Sequence, residues 1–201
     1  MNEQTIRYYN ENAEAFSAGT ENADMQECRE RFLRYLQPGK KILDAGCGSG
    51  RDVIAFRRAG YEVEAFDASA ELCRIASEKT GIHVRQLRFE EIEGENKYDG
   101  IWACASLLHV RAEDMPDVLS RLHSLLKQGG VLYVSFKYGL GERLKDGRYF
   151  YDLTEEECRQ QLEDAGFIIK EIFTTQDVRP GRSHEKWVNA IAGKEYGRDN
   201  S

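Results

Sequence analysis

Three glycines alternate behind an aspartate at the end of a short apolar run, in the stretch Asp44–Gly50 (DAGCGSG). Glycine lets a backbone turn tightly and approach a bound molecule where a side chain would collide. A dinucleotide-binding turn needs the pattern Gly-x-Gly-x-x-Gly, and Arg51 occupies its third glycine position here. A carboxylate such as Asp44 would repel a pyrophosphate but attract an ammonium or a sulfonium. The spacing therefore favours a cationic ligand over a nicotinamide dinucleotide.

Strands and helices are predicted to alternate on both sides of this turn. Hydrophobic spacing and capping residues predict strands at 41–45, 61–66, 82–87, 98–105, 131–136, 167–173 and 186–192, and helices at 3–16, 24–36, 51–59, 69–81, 115–126 and 154–166. Such alternation produces a parallel sheet that is covered by helices on both faces. The connection between the last two strands is too short for a crossover, so these two strands are expected to pair antiparallel at one edge.

The sequence therefore predicts a single α/β domain. It is built on one doubly wound, mostly parallel, seven-stranded sheet of the Rossmann-like type, with helices on both faces and an antiparallel edge strand. We expect an N-terminal helical cap over residues 1–36, the α/β core over 37–193 and a tail over 194–201. Ligands of such sheets bind at the carboxyl ends of the strands, which is where the glycine turn is expected.

Composition narrows the classes of function. The chain of 201 residues carries 35 acidic and 28 basic residues, a net charge of -7, which disfavours non-specific binding along nucleic acid. Its five cysteines are scattered and never spaced as Cys-x-x-Cys, so we expect neither a disulfide framework nor a metal site. No apolar run approaches the roughly 20 residues of a membrane span, and the polar start lacks a signal peptide. We expect a cytoplasmic protein without membrane association. Oligomeric state has no signal in the sequence.

The glycine stretch resembles the first motif of class I S-adenosylmethionine-dependent methyltransferases, and the resemblance extends over nearly the whole chain. It implies S-adenosyl-L-methionine as the cofactor, which leaves as S-adenosyl-L-homocysteine. It also implies that Asp44 lies near the methionine end of that cofactor. The residues of this turn that would line the cofactor are Gly46, Cys47, Gly48 and Gly50.

Further motif positions follow later strands. Asp67 stands where the family's acid accepts hydrogen bonds from both ribose hydroxyls, a role that suits one carboxylate. Ala68 would then lie against the adenine. The stretch 98–109 resembles the fourth motif, whose backbone at Ala103 and Cys104 would meet the methionine moiety.

One motif position departs from the family. After the third strand, many relatives carry an acid for the adenine amino group, whereas this chain has Arg88 and Phe89. The resemblance leaves two alternatives, in which Phe89 stacks on the adenine or Glu90 or Glu91 supplies the acid.

The N-terminal stretch 8–16 (YYNENAEAF) resembles the opening helix of the small-molecule branch related to tellurite-resistance methyltransferases, in which Tyr8 or Tyr9 would lean over the cofactor. Methyl transfer is an in-line displacement that depends mainly on positioning the nucleophile and excluding water. It needs no enzyme thiol, so Cys47 is expected to contribute backbone and volume. His109 is the candidate catalytic base, with a structural role as the alternative.

The acceptor site is expected outside the cofactor motifs. Two later segments, 136–154 and 177–187, mix basic and aromatic residues. The candidate acceptor contacts are Tyr9, Lys137, Arg148, Tyr149, Arg179 and Trp187. If they converge over the cofactor, they would bind a small, flat or apolar molecule with an anionic group. The alternatives are an RNA methyltransferase acting on tRNA, with these residues gripping phosphates and bases, and a non-catalytic regulatory domain that only binds the cofactor.

Overall fold

The computed structural model describes residues 2–195 of the chain. The helices are α1 (Glu3–Glu11), α2 (Ala13–Thr20), α3 (Gln26–Leu33), α4 (Arg51–Arg58), α5 (Ala70–Thr80), α6 (Met115–Leu125) and α7 (Glu155–Asp164). The strands are β1 (Lys41–Ala45), β2 (Glu62–Asp67), β3 (Arg85–Gln86), β4 (Tyr98–Ala103), β5 (Leu126–Lys137), β6 (Gly141–Lys145), β7 (Arg148–Asp152), β8 (Ile168–Gln176) and β9 (Lys186–Gly193). The predicted tail lies outside the described residues from 196 onward.

Seven of these strands form one sheet in the order β3-β2-β1-β4-β5-β9-β8. Strand β1 pairs in parallel with both β2 and β4, and this register sets Asp44 between Ala65 and Trp102. Strand β9 runs antiparallel to β5 on one side and to β8 on the other. The predicted doubly wound, mostly parallel sheet with antiparallel pairing at one edge is confirmed.

Two packed layers hold the strand ends in place. On one face of the sheet, Trp102 stacks on Tyr133 with ring centroids 3.9 Å apart, and Phe32 and Phe56 pack against Trp102. On the other face, the apolar side of α6 is buried. Close-packed layers of this kind fix the positions of the loops that follow the strands.

The segment after β5, in which the sequence predicts no strand, forms a separate β-hairpin of β6 and β7. Its two-residue turn is Asp146-Gly147, with φ of 52° and 75°. Positive φ at both positions is typical of the tight hairpin turn, and Asp-Gly is its usual sequence. The Asp-Gly pair between two stretches with aromatic or apolar residues is therefore the sequence signal for this hairpin.

The predicted helix over 3–16 is wrong at Asn12, where α1 ends and the chain turns into α2. The Asn12 side chain donates to the Tyr8 carbonyl at 2.8 Å, and its own φ is -115°. Asparagine competes with helix continuation through such local hydrogen bonds. The predicted third strand also shrinks to Arg85–Gln86. Within residues 2–195, no helix combines the length and apolarity needed to cross a bilayer.

Candidate active site

A cavity of about 530 Å³ opens at the carboxyl ends of β1, β2 and β4. One side, here called the strand-end wall, consists of residues 44–109. Another side, the hairpin wall, consists of residues 135–189 from the end of β5, the hairpin and the β8–β9 connection. Helices α1 and α2 contribute residues such as Tyr9 and Phe16. The predicted site residues that line the cavity are Tyr9, Asp44, Gly46, Cys47, Gly48, Asp67, Ala68, Phe89, Cys104, His109, Lys137, Arg148, Arg179 and Trp187.

The glycine turn forms part of the strand-end wall because no side chain fits there. Gly46 has φ of 77°, and a Cβ on it would stand 2.4 Å from the Ser106 Cβ. Gly48 has φ of 56°, and a Cβ there would stand 3.1 Å from the Phe16 ring. Both the backbone conformation and the neighbours therefore require glycine, and the peptide backbone is left facing the cavity.

Two predicted cofactor residues of this region do not line the cavity. Gly50 starts α4 at φ of 86°, and a Cβ on it would stand 2.6 Å from the Thr80 side chain, so this glycine lets α4 pack on α5. Ala103 is fully buried within β4, and the next residue, Cys104, reaches the cavity instead. In the glycine turn, Gly50 therefore allows helix packing, whereas Gly46 and Gly48 line the cavity.

Asp44 is the buried carboxylate at the end of β1. It is 2% exposed, and its Oδ2 has no hydrogen-bond partner among residues 2–195. Burial, and then the negative charge of Asp52, raise the pKa of Asp44 well above its usual range. A buried carboxylate oxygen without a partner is costly, and a cation beside it would remove that cost. This orphaned oxygen fits a ligand that carries an ammonium or a sulfonium group.

Asp67 ends β2 and ties the glycine turn to the start of α5. Its Oδ2 accepts from the Gly48 N–H and its Oδ1 from the Ser69 N–H, both at 2.9 Å. Burial raises the pKa of its carboxyl group, while these backbone donors oppose that effect. A carboxylate has about four acceptor positions, so lone pairs remain for hydroxyl groups of a ligand. The geometry is compatible with the predicted ribose contact.

Phe89 lies in the wall beneath the turn. It is 1% exposed and meets Phe66 edge to face, with ring centroids 5.2 Å apart. The alternative acids do not line the cavity: the Glu91 carboxylate accepts from the Arg88 N–H at 2.8 Å as part of a local cap, and Glu90 is also outside the lining. At the position expected for the adenine, the cavity wall is therefore the apolar ring of Phe89 rather than a carboxylate.

His109 links the strand-end wall to α1 and the hairpin. Its Nδ1 lies 2.7 Å from the Tyr149 carbonyl, which can only accept, so Nδ1 carries the proton. Its Nε2 is then an acceptor, and the Tyr9 hydroxyl, 2.8 Å away, donates to it. Burial lowers the pKa of His109 to about 4. The imidazole is therefore neutral, and the lone pair on its Nε2 accepts the hydrogen bond from Tyr9.

Two predicted aromatic contacts lie outside the cavity lining. The Tyr8 ring lies under the Arg148 guanidinium, 4.4 Å from its carbon, while the neighbouring Tyr9 faces the cavity. The Tyr149 hydroxyl donates to Glu142 and accepts from the Ala112 N–H, so Tyr149 contributes its backbone to the site rather than its ring. The split between the two tyrosines follows from their adjacent positions on α1, which point in different directions.

The hairpin wall contains a buried network of charges. Asp177 accepts from Lys137 at 2.9 Å, from the Arg179 Nε at 2.9 Å and from the Trp187 ring nitrogen at 3.1 Å. Lys137 also pairs with Glu185, and its ammonium lies 4.1 Å from the Trp187 ring centroid. The predicted acceptor cations Lys137 and Arg179 are therefore already neutralised by carboxylates of this wall.

Sequence reasoning missed a second network beside the glycine turn. Asp52 accepts from Arg51 at 2.6 Å, from Arg29 at 2.7 Å and from the Trp102 ring nitrogen at 3.1 Å. The Arg51 Nη2 lies 3.9 Å from the Cys104 sulfur at the cavity wall. The only sequence signal is an Arg-Asp pair in the first turn of the helix that follows the glycines.

The fold and this site define a class I S-adenosylmethionine-dependent methyltransferase. The family model for a methyltransferase domain matches residues 18–171, and the chain belongs to that family. An uncharacterised methyltransferase of Staphylococcus carnosus is 26% identical over 177 residues, which cover 79% of this chain and 86% of that protein. The sequence predictions of a methyltransferase and of its cofactor are confirmed at this level.

Two further comparisons bear on the acceptor and the fold. The ribosomal protein L11 methyltransferase of Bacillus subtilis is 28% identical over 185 residues, covering 90% of this chain but 51% of that enzyme, so the chain spans about half its length. The 1,6-didemethyltoxoflavin-N1-methyltransferase of Burkholderia thailandensis, solved with 1,6-didemethyltoxoflavin and S-adenosylhomocysteine, has a TM-score of 0.76 at 24% identity, covering 94% of this chain and 85% of that one. The latter shows a shared fold. The tellurite-resistance branch stays a prediction.

Proposed function

We propose that this protein transfers the methyl group of S-adenosylmethionine to a small-molecule acceptor by in-line displacement. The observation that carries the proposal is the single cavity of about 530 Å³ that is lined both by the cofactor motif residues and by the hairpin wall. Ligand pockets for small molecules have volumes of about 300–1,000 Å³. One space of this kind suits a cofactor at the strand-end wall and a small acceptor at the hairpin wall.

The strand-end wall fits the cofactor through three features. The orphaned Asp44 oxygen suits its positive charge, Asp67 retains lone pairs for its ribose hydroxyls, and the bare backbone at Gly46 allows close approach. When bound, S-adenosylmethionine would supply a methyl group activated by its sulfonium sulfur, and the neutral thioether S-adenosylhomocysteine would be the leaving group. The protein's part is then to hold the acceptor in line and to exclude water.

Tyr9 and His109 provide the positioning on the acceptor side. Because the Tyr9 hydroxyl donates a hydrogen bond to the His109 Nε2, its oxygen acts as an acceptor, and the Arg148 side chain donates to it. His109 itself, with its pKa lowered to about 4 and its lone pair occupied, is a positioning residue for Tyr9 in this proposal. The Thr5 hydroxyl accepts from the Tyr149 N–H at 3.0 Å and thereby holds α1 against the hairpin.

A small acceptor is favoured over RNA by the distribution of charge. Non-specific RNA binding needs a track of unpaired cations along one face. In this chain the net charge is -7, and many surface arginines of the described region lie within 4 Å of a carboxylate. Examples are Arg31, Arg74, Arg88, Arg111 and Arg121. The resemblance to ribosomal protein L11 methyltransferases makes a protein acceptor the third class to test.

The test uses cofactor with an isotope-labelled methyl group and three acceptor pools: small molecules, tRNA and ribosomal proteins. We expect label only in the small-molecule pool. We also expect Asp67→Ala to weaken S-adenosylhomocysteine binding at least about tenfold, because it removes at least one charged hydrogen bond. Label in tRNA or protein would replace the proposed acceptor class. Cofactor binding without label in any pool would favour the regulatory domain.

A further inference from the structure

Arg148, the first residue of β7, brings a largely buried guanidinium to the cavity. Its side chain is 14% exposed and lies between two rings, with its central carbon 4.4 Å from the Tyr8 centroid and 5.2 Å from the Phe150 centroid. Its Nε is buried and has no hydrogen-bond partner among residues 2–195. The carboxylate nearest to it in an ion pair is that of Asp146, 3.7 Å away on a side chain that is 65% exposed.

The other cations of the hairpin wall differ from Arg148. Lys137 and Arg179 share Asp177, and Arg143 forms a two-pronged pair with Asp152. Removing a charge from water without a close partner is costly, and a partner of opposite charge offsets part of that cost. Arg148 is thus the cation of this wall that is held away from water without close neutralisation. A bound anion would complete its environment.

We infer that Arg148 is the anchor of the acceptor subsite and that the acceptor carries a carboxylate on a flat ring. The planar guanidinium fork matches the two oxygens of a carboxylate, and stacking between rings fixes the plane of that fork. Phe150 and Trp187, which line the same cavity, provide apolar surface for a ring. This inference rests on the proposed function, because it names the acceptor of the proposed reaction.

The experiment is an NMR titration of the full chain, saturated with S-adenosylhomocysteine, with benzoate and with its neutral analogue benzamide. We expect benzoate to bind at least about tenfold more tightly than benzamide in the wild type, as one charged hydrogen bond would give. In Arg148→Gln the two affinities should become equal, whereas Arg148→Lys, which keeps the charge but loses the fork, should give an intermediate ratio.

Two variants control for general charge. Arg159→Gln removes one positive charge from the exposed side of α7, where Arg159 pairs with Glu163. Lys170→Gln removes an exposed lysine of β8 outside the cavity lining, whose ammonium lies 5.5 Å from the Tyr35 ring centroid. Both should keep the preference for benzoate. If Arg148→Gln does not fold, as judged by its thermal unfolding, Arg148→Lys alone decides between the outcomes.

Several results would overturn the inference. These are equal binding of benzoate and benzamide to the wild type, a preference that survives Arg148→Gln, or loss of the preference in Lys170→Gln alone. A drop of more than about tenfold in S-adenosylhomocysteine affinity in Arg148→Gln would assign Arg148 to the cofactor's carboxylate instead. Failure of the wild type to bind S-adenosylhomocysteine would instead remove the proposed function, and an Arg148-dependent preference for benzoate would still support the anion subsite.

Discussion

The strand-end wall and the hairpin wall recognise their ligands by different means. The strand-end wall presents backbone and single carboxylates, at Gly46, Asp44 and Asp67, at the carboxyl ends of parallel strands. The hairpin wall presents long charged side chains on a hairpin and a strand connection, and most of them pair with each other. One wall is fixed by the sheet, whereas the other is held together by its own ion pairs.

This difference explains why the two walls constrain the sequence differently. A backbone that must adopt positive φ against a neighbour accepts only glycine, so the strand-end wall leaves a recognisable pattern. A charged side chain on a loop is compatible with many partners, and only the folded structure shows which carboxylate it meets. Variants that separate backbone fit from charge pairing therefore test the contrast between the walls.

The largest effect is expected for Gly46→Ala in the strand-end wall. Its φ of 77° and a Cβ position 2.4 Å from the Ser106 Cβ add left-handed strain to steric overlap, together about 3–4 kcal/mol of unfolding free energy. The matched control is Gly60→Ala, with φ of 87° and no atom within 4 Å of its Cβ, which should lose only about 1 kcal/mol. Denaturant unfolding gives both values. Equal losses would show that the turn is not set by close contact.

In the hairpin wall, Asp177→Asn should lower the unfolding free energy by about 2–3 kcal/mol, because it leaves Lys137 and Arg179 short of a carboxylate. The control is Asp117→Asn, which breaks the exposed pair with Arg121 on α6 and should cost less than about 0.5 kcal/mol. Denaturant unfolding at low and high salt measures both. A loss no larger than that of the control would mean that the pairing does not hold this wall together.

Most of the fold could be predicted from the sequence. The hydrophobic periodicity of strands and helices specifies the sheet and its covering helices, and glycine, proline and capping residues mark where these elements begin and end. Asp44, Gly46 and Asp67 could be placed at the cavity, since the ends of parallel strands meet at one edge. The pairing of Arg179 with Asp177 could not, although the two are close in sequence, because nothing in composition distinguishes a paired arginine from a free one. Tyr9 rather than Tyr8 faces the cavity because adjacent residues of α1 point in different directions, and the sequence does not show which of the two directions faces the cavity.

His109 joins the two walls, and its burial predicts a pH effect of about 2 kcal/mol. Its folded pKa of about 4 lies below the unfolded value of about 6.5, so the unfolded chain binds the proton first. Stability from the neutral imidazole is complete above pH 6.5 and is lost as pH falls towards 4, with about 2 kcal/mol gone at pH 5. The difference in unfolding free energy between the wild type and His109→Gln should shrink by that amount between pH 7 and pH 5.

Taking this difference between two chains cancels the titration of carboxylates that both of them share. A difference that stays constant with pH would show that the folded imidazole is not desolvated, and His109 would again be a candidate base. Tyr9→Phe complements the test, because it removes the hydroxyl that donates to Nε2 and should raise the pKa of His109 towards its usual value, as seen in the NMR titration of the ring.

The smallest effect is expected for the Cys47 side chain, although Cys47 lies in the centre of the glycine turn. Its contribution to the strand-end wall is backbone, and its thiol donates to the Gly48 carbonyl, at 3.6 Å. Burial raises the pKa of the thiol well above its usual range, so little thiolate exists near neutral pH. Cys47→Ala should therefore change S-adenosylhomocysteine affinity and turnover by less than about threefold.

Cys158→Ala is the comparison for this last prediction, because Cys158 is 1% exposed on the buried face of α7 and lies outside the cavity lining. It should lower the unfolding free energy by about 1 kcal/mol and leave cofactor affinity unchanged, whereas Cys47→Ala should leave both the unfolding free energy and the cofactor affinity nearly unchanged. Calorimetric titration with S-adenosylhomocysteine measures the cofactor affinity, and iodoacetamide labelling at pH 8 measures the reactivity of the thiol. Rapid labelling of Cys47, or a tenfold loss of turnover in Cys47→Ala, would mean that the strand-end wall uses a side chain where the structure shows backbone.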